Sequence, residues 1–182
     1  MIAENIKHLR ERIAVKCTDF KRNPQEIRLI AVSKFFGVDA INEANSLGVT
    51  DFGENKAQEL RDKHEILGDK VTWHFIGTLQ RNKVKYAVKA ATYIHSVDSL
   101  ILADEINTQA LKLNKVQKIL LEVNTSLEDS KSGLIDTAQV FELAMHCSTL
   151  SNIDLMGLMT MAPFTDDEDR IRKSFSDLRK LK

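Results

Sequence analysis

The chain has 182 residues, enough for one domain or most of one, and a hydrophobic content of 43% lets it bury a substantial core. Its 26 Lys and Arg balance 26 Asp and Glu, which excludes a global field of the kind that recruits nucleic acid or an anionic membrane. Cys17 and Cys147 form no CxxC or CxxH pair, so neither zinc nor a disulfide framework is expected, and the opening stretch MIAENIKHLRERIAV lacks the continuous apolar run of a signal peptide or membrane span. A reducing, cytoplasmic setting follows as the expectation.

Ile2, Ile6, Leu9, Ile13, Cys17 and Phe20 recur at helical spacing and predict an amphipathic opening helix with one buried stripe, ended by Asn23-Pro24. A buried strand over about 28–33 follows and runs into Lys34. VDAINEANSLG reads as a helix stopped by Gly48, VTDFG as a short strand, and ENKAQELRDKHEILG as a helix with Ala57, Leu60, His64 and Leu67 on one face and Gly68 as its stop. VTWHFIG is a strand of β-branched and aromatic residues. QRNKVKYAVKA is a short helix and TYIHSV a strand; DSLILADEINTQALKLN is a helix with Asp98 as N-cap. VQKILLEVN is a strand, IDTAQVFELAMHC a helix with Ala138, Phe141 and Met145 on one side, and IDLMGLM a strand. The last helix opens with Thr165-Asp166-Asp167-Glu168, which fits a capping box, and its acidic start and basic end suit the helix dipole.

Alternating strands and helices predict a parallel sheet with helices outside. Two architectures compete, an open doubly wound sheet and a (β/α)8 barrel. The open sheet usually carries a Gly-rich phosphate turn after its first strand, and SKFFGVD stands there instead, which favours the barrel. Only about six βα units are legible, against eight in a complete barrel. The expected fold is therefore α/β, a TIM-type (β/α)8 barrel with an extra N-terminal helix that lacks its last two βα units. It is read as a single domain over residues 1–182, incomplete at the C-terminal side.

In a parallel barrel, chemistry sits where strands end and helices begin. At those points the sequence places Lys34, Gly53-Glu54-Asn55, His74 with Gly77-Thr78, His95-Ser96, Asn124-Thr125-Ser126 and Met159-Thr160. These polar groups suit a ligand mouth, although polar residues are common at any strand end. A lysine at an apolar strand end can be a snorkelling side chain with its head in water, or an amine freed for Schiff-base chemistry by burial, with Phe35 and Phe36 as apolar walls. His74 reads as a structural hydrogen-bonding residue or a catalytic one. Lys131-Ser132-Gly133 reads as an anion-binding turn or a solvated loop. Glu54-Asn55 offers a cap for the following helix as well as a ligand contact. The tract RNKVKYAVK reads as a solvated helix face.

The ordered set AVSK, FGENKAQEL, WHFIGTLQRNKVK, HSVDS, VNTSLEDSKSG and GLMTMAP resembles the pyridoxal-phosphate homeostasis proteins, single-domain relatives of the alanine racemase barrel. The resemblance covers about residues 28–163 and implies a (β/α)8 barrel preceded by a helix. It implies that Lys34 carries pyridoxal 5′-phosphate (PLP) as a Schiff base, and that Asn55, His74 and Met159 lie near that cofactor. It further implies a cofactor-handling protein without a demonstrated reaction, with PLP and PLP-dependent apoenzymes as partners and a monomer when full length. No residue is assigned a catalytic role and no metal is implied. Two departures stand out. Phe35-Phe36-Gly37 replaces the family's Thr-Lys-Pro-like turn, and the SMGMS, GST and RIG segments that supply the family's phosphate cup and an arginine are not present by Lys182. A chain of this length alone would therefore hold the phosphate weakly, and its open sheet edges would favour instability or association.

Two other functions compete with PLP homeostasis or delivery. A racemase-like PLP enzyme needs a second acid/base group on the cofactor's opposite face, and neither Tyr86 nor Tyr93 follows a strand end. A Schiff-base aldolase, or a truncated form unable to hold PLP, would dispense with the cofactor.

Overall fold

The computed structural model describes residues 1–126, 128 and 132–181. Helix α1 (Ile2–Asp19) precedes a regular alternation: β1 (Ile30–Val32), α2 (Val38–Ser46), β2 (Asp51–Glu54), α3 (Ala57–Leu67), β3 (Thr72–Phe75), α4 (Val84–Ala90), β4 (Tyr93–Val97), α5 (Leu100–Lys112), β5 (Gln117–Glu122), α6 (Thr137–Ser148), β6 (Ile153–Met159) and α7 (Glu168–Lys180). The six strands form one sheet in the order β1-β2-β3-β4-β5-β6, and every neighbouring pair is parallel. Winding in strict chain order is the topology of the (β/α)8 barrel; a doubly wound sheet reverses its order at a switch point. The barrel-type reading therefore holds for the described strands.

Alternation along each strand separates two faces. Phe52, Trp73, Phe75, Ile94, Ile119 and Leu121 point to the helices, where they meet Leu60, Val84, Ala87, Ile106 and Leu143 in one buried core. Each such side chain contributes roughly 1.5–3 kcal/mol on burial. The opposite face carries Asp51, His74, Tyr93, His95 and Lys118, joined by the polar and ring contacts described below. The ladder shifts register between Ile119 and Leu120 opposite β6, beside Gly157 at φ +151°, a backbone setting that glycine adopts without strain.

Helix ends agree with the sequence in part. Gly48 (φ +80°) and Gly68 (φ +57°) close α2 and α3 as expected. Asp98 does not cap α5; Ser99 holds the N-cap position. The capping box lies at α6, where Asp136 and Gln139 form it, rather than at α7. At α7 the N-cap is Asp167, which accepts from the N–H groups of Asp169 and Arg170. Glu54 and Asn55 do not cap α3, because Glu54 is still strand and Lys56 takes the N-cap position. The predicted stripe of α1 is shallow: Cys17 is its one buried residue, and Phe20 is exposed. On α6, Phe141 and Met145 do share a side, but it faces solvent, and Val140, Leu143 and Cys147 are buried instead.

Candidate functional site

Lys34 leaves β1 in a tight turn. The Ser33 N–H donates to the Gly53 carbonyl at 2.9 Å, the last link between the two strands, and the Phe36 N–H closes the turn on the Ser33 carbonyl at 3.0 Å. Phe35 sits in the left-handed region at φ +71°. Among the described residues the Lys34 amine makes no hydrogen bond and no ion pair; its Nζ lies 5.9 Å from the Phe35 ring centre. Lys34 is itself exposed, and Phe35 and Phe36 are 76% and 60% exposed, so the lysine is neither buried at the strand end nor walled in. The left-handed turn directs both rings outward.

The turn is tied to α3 by a compact charge network. Glu54, the last residue of β2, points toward the helix layer and is fully buried. Its Oε1 accepts from Ser33 Oγ at 2.6 Å and from Lys63 Nζ at 2.7 Å. Lys63 also donates to the Ser33 carbonyl at 2.9 Å and to Glu59 Oε1 at 2.7 Å. Glu59 Oε1 in turn accepts the Phe35 N–H at 3.1 Å. The Lys63 hydrogen bond, helped by that backbone N–H, holds the Glu59 carboxyl below its ordinary range despite partial burial.

Asn55 follows directly. Its Oδ1 is buried and has no hydrogen-bond partner among the described residues. The Asn55 backbone lies hard against Gly77: a Cβ on Gly77 would stand 2.2 Å from the Asn55 carbonyl oxygen. Glycine at the end of the β3 segment is thus what lets the two strand ends approach. The adjoining Ile76 N–H donates to the Glu54 carbonyl at 2.8 Å and fixes that approach.

His74 lies below the mouth, paired in register with Gly53 and Tyr93. Its Nε2 is 2.8 Å from Asp51 Oδ1, its Nδ1 is 2.8 Å from His95 Nε2, and its ring stacks on Tyr93 at 4.7 Å. The tautomer of His74 that donates from Nε2 to Asp51 and accepts at Nδ1 from the His95 Nε2–H satisfies both contacts with His74 neutral. Burial lowers the pKa of His74 even against the pull of Asp51. Burial, and then the neighbouring His74, lowers that of His95 to about 4. Arg28 completes the cluster, donating to the Tyr93 hydroxyl at 3.1 Å and lying 3.7 Å from Asp51.

The remaining strand ends form a second group. Thr125 Oγ1 lies 2.9 Å from Thr160 Oγ1 and 2.6 Å from Ser174 Oγ on α7. Ser126 donates to Asn124 at 3.0 Å, and Ser132 donates to Glu122, whose carboxyl burial pushes up. Met159 ends β6 opposite Glu122, on the strand at the other edge of the sheet from β1. β4 continues to Val97, so His95 and Ser96 are within the strand and do not end it. Of the anion-turn candidate, Lys131 lies outside the described residues. The basic tract follows the expectation in part: Arg81, Lys85 and Lys89 are exposed on and before α4, and Lys83 is half-buried.

The sites suggested by the sequence thus fall at two depths. Lys34, Asn55 and Gly77 come together at the ends of β1, β2 and β3; His74 sits lower, with both ring nitrogens engaged. The Lys63–Glu54–Glu59 network was not foreseen. Its signal was available in Glu59 and Lys63, four residues apart, with Lys63 between Leu60 and Leu67 on the buried face of α3.

The family model described as alanine racemase, N-terminal domain, matches residues 2–182. The chain is 38% identical over 180 residues to the pyridoxal phosphate homeostasis protein of Aquifex aeolicus, covering 98% of this chain and 78% of that relative. The chain belongs to the pyridoxal phosphate homeostasis family. Solved structures agree with that membership. A crystal structure of an unknown protein from Bifidobacterium adolescentis superposes with a TM-score of 0.92 at 35% identity, covering 99% of this chain and 77% of that one. PipY of Synechococcus elongatus, in a structure with PLP bound, gives a TM-score of 0.82 at 32% identity, covering 100% of this chain and 80% of that one. Among the described residues no helix is long and apolar enough to cross a membrane.

Proposed function

We propose that this chain binds PLP through a Schiff base on Lys34 and serves intracellular PLP homeostasis or delivery to PLP-dependent apoenzymes. The observation that carries the reading is a pair of groups at adjoining strand ends that are unmatched among the described residues: the Lys34 amine without a polar partner and the buried Asn55 Oδ1 without a donor. An amine that is not tied into a salt bridge is sterically free to reach a carbonyl ligand, and a buried acceptor that is not satisfied is worth about 1–3 kcal/mol to a ligand that donates to it. The residues present therefore suit the aldehyde end of PLP, and the bound cofactor in the PipY structure supports the same choice.

PLP supplies an aldehyde. Lys34 would hold it by condensing with that aldehyde to a C=N bond with loss of one water, and hydrolysis would return both partners, so no oxidant or reductant would be needed. Such reversibility suits storage and release. Asn55, His74 and Met159 are the proposed cofactor neighbours, and residues 1–182 act as one PLP-binding domain. His74 contributes indirectly in this reading, as the rigid floor set by Asp51, Tyr93 and His95.

The test is a spectral titration of the purified chain with PLP. An absorption band of bound PLP displaced from that of the free aldehyde, lost in Lys34→Ala, is the expected result. An unchanged band in Lys34→Ala would remove Lys34 from the reading.

A further inference from the structure

The charge network under the first strand has a specific target. Lys63 is 8% exposed and spends its three N–H groups on the Ser33 carbonyl, Glu54 Oε1 and Glu59 Oε1. Glu59 passes the restraint on to the Phe35 N–H. The peptide group before Lys34 and the one after it are therefore both held by the same network, from a different element. Ser33 Oγ adds a third tether, to Glu54 Oε1. Between the two anchors the chain takes the left-handed turn at Phe35, a conformation that non-glycine residues adopt only when the surroundings impose it.

We propose that Lys63, braced by Glu54 and Glu59, is a positioning residue that fixes the turn carrying Lys34 and so aims the Lys34 amine at the mouth. This rests on the reading of Lys34 as the PLP-bearing lysine and deepens it. Simple stabilisation of the β1–α3 packing needs no bond to the peptide groups at 33 and 35; two apolar side chains of similar volume would fill that space. The bonds to these two groups hold the peptides on either side of Lys34. The exposed rings of Phe35 and Phe36 give the Lys34 stem no apolar wall, so the direction in which it leaves is set at the backbone.

Three variants separate the parts. Glu59→Ala removes the acceptor for the Phe35 N–H, Glu59→Gln keeps an acceptor oxygen at the same place, and Lys63→Met keeps the packing but removes all three donors. Two quantities are read on each: hydrogen exchange of the Phe35 amide, and the fraction of Lys34 reductively trapped by borohydride at subsaturating PLP across a pH series. Denaturant midpoints identify any variant that fails to fold, and the two Glu59 variants, at a partly exposed position, keep the comparison available if Lys63→Met is lost. The expected result is Phe35 exchange faster by roughly tenfold in Glu59→Ala and Lys63→Met. Trapping at Lys34 should fall several-fold in both, with a shifted pH profile, and Glu59→Gln should recover most of each effect. Unchanged Phe35 exchange in Glu59→Ala overturns the proposal, as does faster exchange with trapping and pH profile unaltered. No adduct at Lys34 in the unaltered chain overturns the PLP reading itself, which distinguishes that failure from a failure of positioning alone.

Discussion

Lys63 Nζ lies 2.7 Å from Glu54 Oε1, with Glu54 fully buried and Lys63 only 8% exposed. Desolvating both charges is costly, and their attraction offsets it only while the pair is intact. Lys63→Met should therefore destabilise the fold by about 3–5 kcal/mol, because Glu54 is left as an uncompensated buried charge. Adding Glu54→Leu to the same chain should recover most of that loss. Denaturant unfolding of the single and double variants measures it; equal stability of the two would show that the pair is not the cause.

The Asp51–His74–His95 chain predicts acid sensitivity. His95 is lowered from 6.5 to about 4 in the fold, so between those values the unfolded chain binds more protons than the folded one. Stability should be full above pH 6.5 and decline as pH falls toward 4, by at most about 1.4 kcal/mol per pH unit for this group. His74, lowered by the same burial, steepens the decline. His95→Gln keeps an N–H for His74 and removes one titrating group, so its stability profile should be flatter over that window. An identical slope would assign the acid sensitivity to other groups.

Gly77→Ala places a methyl group 2.2 Å from the Asn55 carbonyl oxygen, backbone against backbone. The strand ends must separate, at a cost of about 1–3 kcal/mol or more. Asn55 should move with them, so PLP affinity should drop by more than the stability loss accounts for. Thermal melting and PLP titration on the same variant separate the two effects.

Asp136 accepts the Ala138 N–H at 2.9 Å and closes the capping box of α6 with Gln139. Asp136→Ala should cost about 1 kcal/mol and leave PLP binding unchanged, since the cap is not among the groups that meet Lys34. A loss of binding without loss of stability would place α6 in the site.

The order of elements was legible because periodicity is a local property: runs such as ILLEV and the i, i+4 apolar spacing of α5 need no partner to be recognised. Lys34 and Asn55 stand out as candidates in the same way, as polar residues interrupting apolar strands at the barrel mouth. What escaped depended on contacts distant in sequence. Helical spacing puts His64 on one face of α3 with Ala57, Leu60 and Leu67, yet Lys63 is the buried one, drawn in by Glu54 from β2. Phe141 and Met145 are apolar and still exposed, since the width of the buried stripe on α6 is set by α5 and the sheet. At α7, Thr165, Asp166 and Asp167 all offered a capping oxygen, and only the entry angle of the chain selects Asp167.

The most direct measurement is peptide mapping of the chain after incubation with PLP and reduction with borohydride. A single stable pyridoxyl adduct on Lys34, formed at one equivalent and absent from Lys34→Ala, is the predicted result. An adduct spread over several exposed lysines, or one retained elsewhere in Lys34→Ala at the same yield, would contradict the assignment of Lys34 as the residue that carries the cofactor.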